Sequence, residues 1–134
     1  MSSIEAYKTK VFARWAGKEK LKDAALCQAL REAGDGLIDA NLGGGLIKKR
    51  VAAPGRGKSG SYRTLIAFRT GDRAIFLYGF GKNERDNIDE KEKKALKLLA
   101  RQFLEYEKAE LQTAVKKGVL LKVICDDEND KEKT

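Results

Sequence analysis

The sequence predicts an α+β fold, an antiparallel sheet accompanied by helices, and three observations carry that prediction. Three strand-like segments, "LIKKRVA", "SYRTLIAFR" and "RAIFLYGF", follow one another between Leu46 and Phe80 with only short links. Such spacing favours an antiparallel meander over parallel crossovers. A helical pattern precedes them at 21–34, and a longer one follows from Asp89 to about Lys117. The 134 residues suffice for one hydrophobic core. A single domain over 1–125 is expected, with 126–134, "DDENDKEKT", as a polar disordered tail.

Taken in order, "IEAYKTKVF" reads as a short first strand. "LKDAALCQALREAG" places Leu21, Ala24, Ala25, Leu26, Ala29 and Leu30 on one helical side, and Gly34 and Gly36 stop it. "DGLIDANLGGG" reads as a glycine-rich connection. The three strands are rich in β-branched and aromatic residues, and "TGD" at 70–72 makes a tight turn between the second and third. In the C-terminal helix Leu96, Leu99, Phe103 and Tyr106 recur at spacings of three and four, as a core-facing stripe does. Gly118 ends it, and "VLLKVIC" adds one more strand.

Composition narrows the chemistry. Histidine is absent, which removes the commonest general base and the commonest metal ligand. The expectation is chemistry without metal or cofactor, run by Lys, Arg, Tyr, Asp or Glu. Cys27 and Cys125 lie far apart, with no metal-ligand spacing. They are expected to be reduced, as is usual for so few cysteines in a cytosolic chain. No apolar run approaches a membrane span, the N-terminus lacks a secretory apolar region, and the cytoplasm is the expected location.

The formal net charge is +8, and its placement says more than its size. Ten basic and two acidic residues between Gly43 and Arg85 account for +8 by themselves; residues 1–42 carry +1 and residues 86–134 carry −1. So concentrated a patch attracts polyanions.

Within the patch, "AAPGRGKS" at 52–59 is nearly a nucleotide-binding P-loop, and "GRGKSG" at 55–60 has dinucleotide-loop spacing. Both motifs need a helix after the glycines to supply amides to phosphate. Here "GSYRTLIAF" follows, a strand. The glycines instead form a loop that holds Arg56 and Lys58 in solvent. Alternation along a strand puts Lys48 and Arg50 on one face with Leu46, and Ile47, Lys49 and Val51 on the other. In the next strand Arg63, Leu65 and Ala67 share a face, opposite Tyr62, Thr64, Ile66 and Phe68. Which basic pair meets Arg63 depends on register.

Fixed cations on a sheet suit an RNA backbone and also a phosphoryl transition state. RNA brings its own nucleophile, the 2′-hydroxyl. Cleavage then needs a base for that hydroxyl, cations for the growing charge and an acid for the leaving oxygen. Lysines crowded by other cations can exchange protons in that role. Tyr62 and Tyr78 are candidates for stacking or proton transfer; the plain alternative for both is core packing.

"GGGLIKKRVA", the basic glycine loop, "GSYRTLIAF" and "GFGKNE" together resemble the RelE/HigB toxins of bacterial type II toxin–antitoxin systems, most closely the HigB-like branch. The motifs cover Gly43 to about Ile88, and the order of elements extends the likeness over about residues 4–117. The resemblance implies a small RelE-like sandwich: a twisted antiparallel sheet, helices packed on one face, and a long C-terminal helix. It implies metal-independent cleavage of mRNA in the ribosomal A site of the 30S subunit, leaving a 2′,3′-cyclic phosphate. It also implies neutralisation by a cognate antitoxin, often of helix-turn-helix type. By motif, Arg63 matches the family's transition-state arginine, with Lys48 and Lys82 as its catalytic companions. Lys49, Arg50, Arg56, Lys58, Tyr62, Arg73, Tyr78 and Asn83 are the expected RNA contacts. The chain departs from RelE, which reads "GKRE" and has a tyrosine shortly after. Here Asn83 precedes "ERDNID", so the base is not assigned by analogy. Two rivals remain open: a non-catalytic relative that binds RNA or antitoxin, and a ParE-like gyrase poison.

Overall fold

The computed structural model describes residues 4–53, 57–81, 84–85 and 87–125. The polar tail at 126–134 lies outside them. Strand β1 (Glu5–Thr9) runs directly into helix α1 (Lys10–Lys18), followed by α2 (Asp23–Gly34) and strands β2 (Ala40–Gly43), β3 (Leu46–Ala53), β4 (Gly57–Arg69) and β5 (Arg73–Gly81). Helices α3 (Glu90–Glu105) and α4 (Lys108–Lys116) and strand β6 (Leu120–Lys122) complete the elements of the described residues. The strands form one sheet in the order β2-β3-β4-β5-β1-β6.

The meander β3-β4-β5 is antiparallel, as its short links predict. Its second turn is tight: Asp72 N–H donates to Arg69 O at 3.0 Å, and Gly71 takes the left-handed φ of 72° that the turn needs. β1 is the exception in the sheet and lies parallel to β5, from Glu5 opposite Arg73 to Lys8 opposite Phe76. Two elements carry weak sequence signals. β2 hides in the glycine-rich connection. It ends in Gly43, which with Gly44 and Gly45 takes positive φ, and a Cβ on Gly45 would sit 2.5 Å from Leu104 Cδ1. α1 begins at Thr9, whose hydroxyl accepts from Phe12 N–H at 3.1 Å. Its signature, a Thr cap with Phe12, Trp15 and Ala16 at helical spacing, overlaps the end of the first strand.

The α+β class with a mostly antiparallel sheet stands, and two details differ from expectation. The helices do not share one face. α1 and α2 pack Phe12, Leu26 and Leu30 against Ile47, Val51, Ile66 and Phe76. α3 and α4 pack Phe103, Leu104 and Leu111 against Leu46, Leu65, Ile75 and Leu77 on the opposite face. Since alternate residues of β3 and β4 are apolar in both directions, both faces need cover. Nor is the C-terminal helix continuous. Tyr106 leaves helical geometry at φ −59°, ψ 138°, and a second capping box, Glu107 with Glu110, starts α4. The guanidinium groups of Arg69 and Arg73 take the carbonyls that end α3: Arg69 reaches Leu104 O at 2.6 Å, and Arg73 reaches Phe103 O and Tyr106 O at 3.0 and 2.7 Å.

The cysteines are the third correction. Cys27 and Cys125 form a disulfide, with Cα atoms 5.7 Å apart. Distance along the chain concealed this, because β6 returns beside β1 and carries Cys125 onto α2. Asp23 reinforces the junction, accepting from Lys8 Nζ at 2.8 Å and from Ile124 N–H at 2.9 Å.

Candidate nucleic-acid interface

The register of β3 and β4 settles which cations meet. Arg50 lies directly opposite Arg63, and Lys48 lies opposite Leu65. Lys48, Arg50 and Arg63 therefore share one face, the face of Leu46 and Leu65, at the end of the sheet beyond α3. Placing like charges opposite each other on adjacent strands costs roughly 0.2–1 kcal/mol. Little offsets that here. Arg63 Nη1 donates to Ser61 Oγ at 3.2 Å, Lys48 Nζ donates to Asn87 Oδ1 at 3.5 Å, and Arg50 Nε is 3.8 Å from Asp39 Oδ2. Among the described residues neither Lys48 nor Arg63 has a carboxylate partner.

β5 extends this face. Its register against β4 jumps from Leu65 opposite Tyr78 to Ile66 opposite Phe76, leaving Leu77 as the extra residue of a β-bulge. Strict alternation would send Tyr78 and Phe80 toward α1. The bulge turns them to the cationic face, with Phe80 directly opposite Arg63. Gly79 turns the other way, and a Cβ there would collide with the Trp15 ring, 2.7 Å from Cε3 and 2.8 Å from Cη2.

Arg85, which the sequence placed only within the basic segment, organises the rim. Its guanidinium holds Glu92 in two hydrogen bonds of 2.5 and 2.9 Å and donates to Asn87 O at 2.9 Å. Nη1 is 3.4 Å from the Tyr78 hydroxyl, and the group sits 5.6 Å from the Phe80 ring centre. Glu92 is also the reciprocal partner of Asp89 in the capping box of α3. The Arg85 guanidinium, with the Asp89 N–H, holds the Glu92 carboxyl below its ordinary range, and Glu92 in turn raises Arg85. The pattern "DEKE" at 89–92 carried this cap in the sequence; its pairing with Arg85 did not show.

The other expected contacts divide. Lys49 points to the α2 face, nearly buried, and pairs with Glu32 at 2.8 Å; it stands apart from the cationic group. Tyr62 faces α1, where its hydroxyl donates to Glu19 Oε1 at 3.1 Å and Trp15 meets its ring edge-on. Arg73 is buried at the far end of β5 on the carbonyls of α3, away from the other cations. Arg56, Lys82, Asn83 and the side chain of Lys58 lie outside the described residues. Residues 57–69 are strand throughout, so no helix follows the glycines, and both nucleotide-loop readings lack the element they require.

No helix of the described residues is long and apolar enough to cross a membrane. A comparison with curated proteins gives no match. A family profile described as the RelE toxin of the RelE/RelB toxin–antitoxin system matches residues 4–123. That span takes in every strand and helix of the structure, and the chain belongs to the RelE toxin family, as the toxin of a toxin–antitoxin system whose partner is an antitoxin.

Proposed function

We propose that the protein is a ribosome-dependent mRNA endoribonuclease. One observation carries the reading: Arg50 and Arg63 stand directly opposite each other, with Lys48 on the same face. The fold holds these charges together at a cost that a polyanion relieves. Arg63 and Arg50 hold the scissile phosphate, and their charge opposes the negative charge that builds on its oxygens. The RNA 2′-oxygen forms the new bond to phosphorus as its proton passes to a base, and the bond to the 5′-oxygen breaks. That oxygen takes up a proton, and a 2′,3′-cyclic phosphate remains. Lys48, beside Arg63, is the described residue placed to exchange a proton with the reacting oxygens. Tyr78 borders the same face, where its ring can support a base. The ribosomal A site presents the single-stranded RNA, and an antitoxin silences the protein when bound.

The test is Arg63→Ala expressed in growing cells, with 5′ ends of cellular mRNA mapped after brief induction. The variant is expected to fold with an unchanged melting temperature, to lose growth arrest and to lose new 5′ ends by at least 100-fold, about the scale of one lost oxyanion contact. Growth arrest with cut messages in that variant sinks the site assignment. Wild-type arrest with intact messages and DNA-damage induction marks a gyrase poison; binding without arrest marks a non-catalytic relative.

A further inference from the structure

The β1–β5 pairing ends at Lys8 opposite Phe76, so beyond that point β5 has a strand only on its β4 side, and α1 closes the open side incompletely. The result is a cleft of about 240 Å³ between α1 and the end of β5. Trp15, Tyr78 and Phe80 line it, with Phe12 beneath and Val11 at the mouth, 60% exposed. Arg85 and Glu84 supply its polar groups, and Glu84 Oε1 already accepts from Gly81 N–H at 2.6 Å.

We propose that this cleft receives one unstacked base of the RNA whose phosphates lie across Lys48, Arg50 and Arg63, an inference that rests on the RNA-cleavage reading above. Three observations carry it. The cleft is continuous with the cationic face, because Phe80 and Tyr78 are the cross-strand partners of Arg63 and Leu65. Its volume is below the roughly 300–1,000 Å³ of pockets that enclose drug-sized ligands, so it has room for a flat ring system and not for a whole nucleotide. Its walls are aromatic with a guanidinium beside them, the surface on which unpaired bases stack. An apolar antitoxin side chain carries nothing that answers the neighbouring cations.

Trp15 is the only tryptophan, so its fluorescence reports on the cleft. The full-length protein is titrated at low salt with a 2′-O-methyl oligoadenylate hexamer, which has no hydroxyl to react, and with a hexamer of abasic spacer phosphates. The oligoadenylate is expected to quench Trp15 and to bind about tenfold more tightly, since one stacked base contributes about 1–3 kcal/mol. The abasic chain is expected to bind through phosphate alone, weaken with salt and leave the fluorescence unchanged. Val11→Phe fills the mouth from an exposed position and should abolish quenching while keeping abasic binding and melting temperature. Equal binding of both hexamers without quenching overturns the cleft assignment and leaves the phosphate reading standing. Undiminished quenching in Val11→Phe, or quenching by antitoxin alone, also overturns it. If neither hexamer binds, the phosphate reading fails and the cleft assignment with it.

Discussion

Arg73 tests the division between the cations that build the fold and those that face a ligand. Its charge made it an expected RNA contact, yet it is 8% exposed, and its Nη1 donates to Phe103 O, Leu104 O and Tyr106 O at 3.0, 3.3 and 2.7 Å. Its Nε makes no hydrogen bond and lies 3.5 Å from Glu5 Oε1, an ion-pair contact. In Arg73→Ala the three carbonyls fare differently. Phe103 O keeps the Tyr106 N–H at 3.3 Å, Leu104 O keeps Arg69 at 2.6 Å, and Tyr106 O loses the side chain that capped it. One partly buried acceptor left unpaired costs about 1–3 kcal/mol, and two weakened charge-assisted bonds add to it. A loss of about 2–4 kcal/mol is therefore expected, seen as a melting temperature lower by roughly 8–15 °C for a domain of this size. Circular dichroism measures the unfolding, and Arg73→Ala/Arg69→Ala should lose more than the sum of the single variants because Leu104 O is then stripped as well. Affinity for RNA at a temperature where the variant is folded should stay within about twofold, as for a residue remote from the contacts. An unchanged melting temperature with RNA binding lost refutes the structural assignment and returns Arg73 to the binding surface.

Two further predictions concern the rest of the molecule. Reduction of Cys27–Cys125, which closes a span of 98 residues, should lower stability by about 2–4 kcal/mol. Urea midpoints with and without dithiothreitol measure it, and thiol alkylation of the unfolded, unreduced protein should label neither cysteine. Acid should lower stability in part through Glu92 and Glu32, whose carboxyls Arg85 and Lys49 hold below their ordinary range. A depressed folded-state pKa means their contribution is complete above the ordinary carboxylate value and drains away as pH falls through the folded one. Urea midpoints should hold level from about pH 8 to 5 and fall below about pH 4, with a shallower fall in Glu92→Gln; an equally steep fall in that variant removes Glu92 from the account.

Much of the fold was legible where one period dominates. Position alone sets Lys48 and Arg50 against Lys49 within "LIKKRVA", and Arg63 against Tyr62 within "SYRTLIAFR". Register was not legible, because several offsets keep apolar residues inward on both faces. β2 is four residues long, and its pairing with β3 depends on three glycines in unusual geometry rather than on its own side chains. The break between α3 and α4 escaped because the apolar stripe continues through it; the arginines that cap the carbonyls there, Arg69 and Arg73, come from a different part of the chain. The same holds for the disulfide and for the roles of Lys49 and Arg73. A lysine or arginine is read from sequence as charge, and only the fold reveals whether carbonyls and carboxylates already occupy it.

The extra residue in β5 lets one rung of the sheet serve two masters. Leu77 fills the interior under α3 and α4, while its neighbour Tyr78 emerges on the same side beside Arg85. An aromatic ring was thus added to the surface without surrendering an aliphatic anchor beneath it. On the proposed RNA-binding reading, substitutions at Tyr78 would retune what this face grips while Leu77 keeps the interior filled, so recognition and folding would be free to evolve separately along a single strand.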